Sequence, residues 1–80
     1  MDDNTILQRV NDLTEEEREL EESHEKAKLS EEKMARLKAI EIELDQCWDL
    51  LRRRRARRHA GLDPDEETIR PADVVEHYKQ

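Results

Sequence analysis

The sequence predicts an all-α protein: an antiparallel, coiled-coil-like hairpin of two helices, followed by a short C-terminal tail that is partly helical or extended. Three observations predict it. Leu, Ile and Val recur at alternating steps of three and four residues, the spacing of one helix face. Glu, Lys, Arg, Leu and Ala dominate the composition, and these residues lose least on entering a helix. The single Gly and both Pro lie beyond residue 60, so nothing breaks the first sixty positions. With 46% of residues charged the chain resembles a disordered one in composition; its periodicity argues for a fold.

The first helix is expected at about residues 5–27, with Asn4 or Thr5 as its cap. Its seam runs Ile6, Val10, Leu13, Glu17, Leu20, His24, Ala27, with Leu7 flanking it. A turn at 28–30 follows. The second helix is expected at about 31–60. It opens on Ser30 as N-cap, with Glu31 and Glu32 suited to the positive end of the helix dipole. Its seam is Leu37, Ile40, Leu44, Cys47, Leu51, widened by Met34 and Trp48. The pairs Glu22–Lys26, Glu32–Arg36 and Asp49–Arg53 add support one turn apart. Gly61 ends the helix in a left-handed conformation, with Leu62 placed for the usual apolar contact.

If the turn folds the helices back symmetrically, position i faces roughly position 58 − i. Leu13 then meets Leu44 or Asp45, Val10 meets Trp48, Leu7 meets Leu51, and Asp3 meets Arg55. In the tail, residues 61–80, Asp63-Pro64-Asp65-Glu66 reads as a helix start, with an N-cap Asp, Pro at the first position and Glu closing a capping box. Pro71 limits that helix, and residues 71–78 suit another short turn. Ile69, Val74, Val75 and Tyr78 give the tail an apolar side that folds back on the hairpin if the tail is ordered; disorder is the alternative. An 80-residue chain with few apolar side chains has a small core, and self-association is the usual remedy. A homodimer in the form of a four-helix bundle is therefore expected, with Leu13, Leu44, Cys47, Trp48 and Leu51 as its anchors and Trp48 near the centre.

The net charge of −7 is unevenly spread. Residues 46–60 hold six arginines and one acid, an island between two acidic segments. Arg52, Arg53, Arg54, Arg55, Arg57 and Arg58 surround the helix, and Arg55 and Arg58 continue the apolar seam. They suit a solvated helix end paired with Asp2, Asp3 or the tail, or a surface for an acidic protein partner. Phosphate binding to RNA, DNA or a ribosome is the alternative, disfavoured by the negative total charge and the lack of interleaved aromatics.

Cys47 reads as a small buried hydrophobe, with a redox thiol or interchain disulfide as the alternative; no internal disulfide is available to a lone cysteine. Glu21-x-x-His24, one turn beyond Glu17, matches the spacing of di-iron bundles, yet the same spacing arises by chance in a Glu-rich helix. His59 and His77 have no metal spacing. No cofactor and no metal are expected, and binding rather than catalysis is the expected work. A cytoplasmic location is expected from the free thiol and from the absence of a readable signal or membrane span.

From Leu44 onward the text is more specific: Leu44-Asp45-Gln46-Cys47-Trp48-Asp49-Leu50-Leu51-Arg52, Arg54-Arg55-Ala56, Ala60-Gly61, Asp63-Pro64-Asp65-Glu66, Arg70-Pro71, Val74-Val75-Glu76 and Tyr78. It resembles a family of small bacterial proteins known as domain of unknown function 2630. The resemblance covers the whole chain and is strongest from Leu44 to Glu66. It implies a small cytoplasmic bacterial protein and agrees with the hairpin. It carries no activity or ligand to transfer. An interaction or structural module is thus the expectation, and a nucleic-acid- or ribosome-associated factor the alternative.

Overall fold

Asp2, rather than Asn4 or Thr5, starts the first helix. Its carboxylate accepts the backbone N–H of Thr5 at 2.8 Å, so the helix begins two residues earlier than expected. In the computed structural model, which describes residues 1–78 and side chains through residue 76, α1 spans Asp3–Lys26 and α2 spans Glu31–His59. A 3₁₀ turn, Pro64–Glu66, and a short helix, α3 (Ala72–Tyr78), follow, and both pack on α2. There is no strand among the described residues.

Ser30 caps α2 by accepting from the Lys33 N–H at 3.2 Å. The other end of α2 closes in a Schellman motif: Leu62 N–H donates to Arg57 O at 2.8 Å, and Gly61 N–H donates to Arg58 O at 3.2 Å. Gly61 has φ 75°, the left-handed value the motif needs. Leu62 is exposed.

Ile6, Val10 and Leu13 of α1 pack with Ile40, Cys47 and Leu50 of α2, and Leu20, Leu44 and Leu51 close the rim. Across the two helices Arg9 pairs with Glu43 and Arg36 with Glu16 on one flank, while Asp3 at the start of α1 reaches Arg54 near the end of α2. Ala27 and Ser30 are both extended, and Leu29, between them, is buried. His24, Ala27 and Met34, placed on the seams by spacing, are exposed. Arg36 reaches Glu16 on α1 rather than Glu32 on its own helix.

Leu13 is wholly enclosed whereas Met34 is 53% exposed. Urea unfolding followed by circular dichroism is expected to show Leu13→Ala losing about 3 kcal/mol and Met34→Ala less than about 1 kcal/mol. Equal losses would contradict this placement of the core.

Candidate functional site

Six arginines at the end of one helix must find acceptors or stay in water, because a guanidinium does not give up its proton. Four of them find carboxylates within the chain. Arg54 is 4% exposed. Its Nε donates to Asp3 at 2.6 Å, and its Nη1 donates to Asp65 at 2.9 Å and to the Pro64 carbonyl at 3.1 Å. Arg58 holds the other oxygen of Asp3 at 2.8 Å. Arg57 donates to Glu67 at 2.9 Å and Glu66 at 3.0 Å. Arg53 bonds Asp49 at 3.0 Å, the Thr68 carbonyl at 2.6 Å, and Glu67. Asp3 thus meets Arg54 and Arg58, not Arg55. The buried member is Arg54, because the 3₁₀ turn and the start of α1 both close over it.

Asp49 is the centre of the second half of this ladder. It is 3% exposed and receives both Arg53 and Arg70, the latter through two bonds. Gln46 completes the attachment by donating to the Arg70 carbonyl at 3.0 Å. Burial pushes the Asp49 carboxyl up, but the bonds from Arg70 and Arg53 outweigh it and hold it below its ordinary value. Hydrogen bonds from Arg54 and then Arg58 lower Asp3, and those from Arg57 and Arg53 lower Glu67 against the opposing effect of desolvation. The tail is therefore ordered against α2 by charge, with Val75 buried beneath it; Ile69 and Val74 stay exposed. Tyr78, the last member of the tail's expected apolar side, and His77 lie outside the described side chains.

Asp49 and Arg70 were not among the candidates read from sequence. Asp49 is the only acid in residues 46–60, and that isolation was the available signal.

The face of α2 turned away from the tail carries the remaining candidates. Arg52 and Arg55 are exposed and make no ion pair among the described residues. Trp48 is 44% exposed, so within one chain it lies outside the apolar core between α1 and α2. At 100° per residue it points about 100° from the Ile40–Cys47 direction, past the rim formed by Leu44 and Leu51. Leu7 lies on the flank of α1 opposite Arg9, on the same side as Trp48, and is 41% exposed. Leu13 and Cys47 are buried; Leu44 and Leu51 are half-buried. Burial, and next the nearby Glu43 charge, push the Cys47 thiol up, with Arg9 opposing. Cys47 borders a groove of about 490 Å³ between α1, α2 and the tail, whose apolar rim includes Met1 and Ile69. Glu21 and His24 are exposed, and no group of three or more His, Cys, Asp or Glu placed to hold a metal occurs among the described residues.

With this geometry in place, comparison with known families matches residues 2–80 to one described as "Protein of unknown function (DUF2630)". The chain belongs to this family. Three relatives of this chain are each 51% identical over 77 residues, covering 95% of this chain and 88% of theirs. They are the uncharacterized proteins Mb0922c of Mycobacterium bovis, and MT0921.1 and Rv0898c of two strains of Mycobacterium tuberculosis. No solved structure matches this DUF2630 chain. No helix among its described residues is long and apolar enough to cross a membrane.

A carboxylate lowered by folding contributes stability that is present above its unfolded value and lost as pH falls through the folded one. Unfolding free energy is therefore expected to be level between about pH 5 and pH 8 and to fall below about pH 4, as Asp3, Asp49 and Glu67 protonate. Asp49→Asn is expected to cost about 2 kcal/mol at pH 7 and to flatten the acid limb. Urea melts across pH check both, and an unchanged acid limb would remove Asp49 from the ladder's centre.

Proposed function

We propose that this protein is a non-catalytic, cytoplasmic interaction module whose docking surface is the Trp48 face of the two long helices. The observation that carries this is the position of Trp48, half in water between the half-buried Leu44 and Leu51, with exposed Leu7 beside it. A large aromatic side chain in that setting loses water on contact and keeps little rotamer freedom in the free state, the character of an interface anchor. The arginine block supports the reading in a second way. Arg53, Arg54 and Arg57 hold the tail against α2, and Arg58 with Arg54 holds the start of α1, which leaves the Trp48 side of the helix open.

A photo-crosslinking residue in place of Trp48, expressed in the native cell, is expected to give discrete protein adducts. The same residue at exposed Glu25 serves as the control and is expected to give none. Adducts that are equal at both positions, or absent from both, would overturn the proposal.

The second reading, a nucleic-acid- or ribosome-associated factor, draws on Arg52 and Arg55, the two arginines that remain exposed and unpaired among the described residues. The two forms of phosphate binding differ measurably. Two arginines give a slope of log affinity on log salt of about −2, and all six give about −5 on duplex DNA. The expected outcome for this chain is no retention on RNA or DNA at about 0.15 M salt. A slope near −5 would show that the tail releases its arginines and would favour the nucleic-acid reading.

A further inference from the structure

The geometry points to a second copy of this chain as the occupant of the Trp48 face, docked antiparallel about a two-fold axis that passes beside Trp48. This rests on the reading of that face as a docking surface. Glu41, Trp48 and Arg55 are spaced by seven residues, so they fall in one stripe along α2, and all three are exposed. Glu41 lies about 10 Å to one side of Trp48 and Arg55 about 10 Å to the other. Neither charge has an ion-pair partner among the described residues.

A half-turn about Trp48 superimposes the position of Glu41 on that of Arg55. Two copies related in this way form both Arg55–Glu41 pairs at once and stack their Trp48 side chains at the centre. The half-buried Leu44 and Leu51, with Leu7 of α1, then close around them. A parallel pairing sets Glu41 against Glu41 and Arg55 against Arg55, so charge selects the antiparallel arrangement. The poles extend beyond these two residues. Arg52 adds to the basic end. Glu17 and Glu21 lie near Glu41 at the acidic end, where burial and then the charges of Glu21 and Glu41 raise the Glu17 carboxyl. A surface whose charge reverses sign about its own apolar midpoint is complementary to itself, which is the requirement of an isologous interface. The product is four long helices around one apolar layer, with both tails on the outside.

Sedimentation equilibrium of the whole chain at pH 7 and low salt tests this. The wild type is expected to dimerise. Arg55→Glu and Glu41→Arg are each expected to weaken the dimer at least tenfold, because each sets like charges together twice. An equimolar mixture of the two variants is expected to recover a heterodimer within about threefold of the wild-type affinity, as is the double variant E41R/R55E. Within one chain the two positions are about 21 Å apart, so recovery in the mixture cannot arise inside a protomer. Both side chains are exposed, and circular dichroism checks that each variant keeps its helices. A monomer at about 100 µM, a dimer indifferent to both substitutions, or loss without recovery in the mixture would overturn the inference. If the crosslinker at position 48 still captured a different protein, the docking surface would stand and only the occupant would be wrong.

Discussion

Arg54 is the residue on which the arrangement of this chain turns. A guanidinium taken out of water needs acceptors on all its donor sides, since it cannot become neutral. Asp3 supplies one from the start of α1, and Asp65 with the Pro64 carbonyl supplies others from the tail. One side chain of α2 therefore gathers both ends of the molecule. Arg53, Arg57 and Asp49 continue the attachment along the same helix and bring the chain as far as Arg70 into place. The consequence is spatial as much as energetic. With α1 on one side and the tail on a second, α2 has one flank left, and that flank is where Trp48 stands.

The ion pairs between α1 and α2 do a different job. Apolar seams that repeat every seven residues can slide past one another by seven with little change in burial. Arg9 and Glu16 are seven apart on α1, and Glu43 and Arg36 are seven apart on α2, with the signs in opposite order. A slip of one heptad sets Arg9 against Arg36 in one direction and Glu16 against Glu43 in the other. The correct register matches both pairs and the neighbouring registers oppose one. Such exposed pairs add little to stability, but they discriminate between alternatives that the apolar layer treats alike.

What was legible in the sequence follows the range of the physics. Ser30, Gly61 and the limits of the helices come from local rules, and short-range chemistry met them; Asp2 displaced Asn4 and Thr5 because a carboxylate two positions earlier reached the same kind of backbone donor. The burial of Leu29 was not legible, because it depends on how the four loop residues lie against the helix ends. Extending the α1-facing seam held at Arg58, which meets Asp3 of α1, and failed at Arg55, which is exposed. That seam assumes one wall, and α2 has two, so Leu50, Asp49 and Arg54 are buried by the tail and by the start of α1 together.

The charge distribution argues about the kind of contact this chain makes. Seen from a distance it is an anion of −7, and a polyanion approaching it is repelled before any arginine is reached. Seen from nearby, most of the basic island is already neutralised by the tail and by Asp3. What remains exposed on α2 is an apolar centre with a few charges of each sign at its two ends. Long-range attraction is a weak guide to such a surface, whereas shape and the loss of apolar area decide affinity and the terminal charges decide orientation. The same device, opposite charges bracketing an apolar layer, sets the register between α1 and α2. On the Trp48 face it recurs with no partner inside the chain.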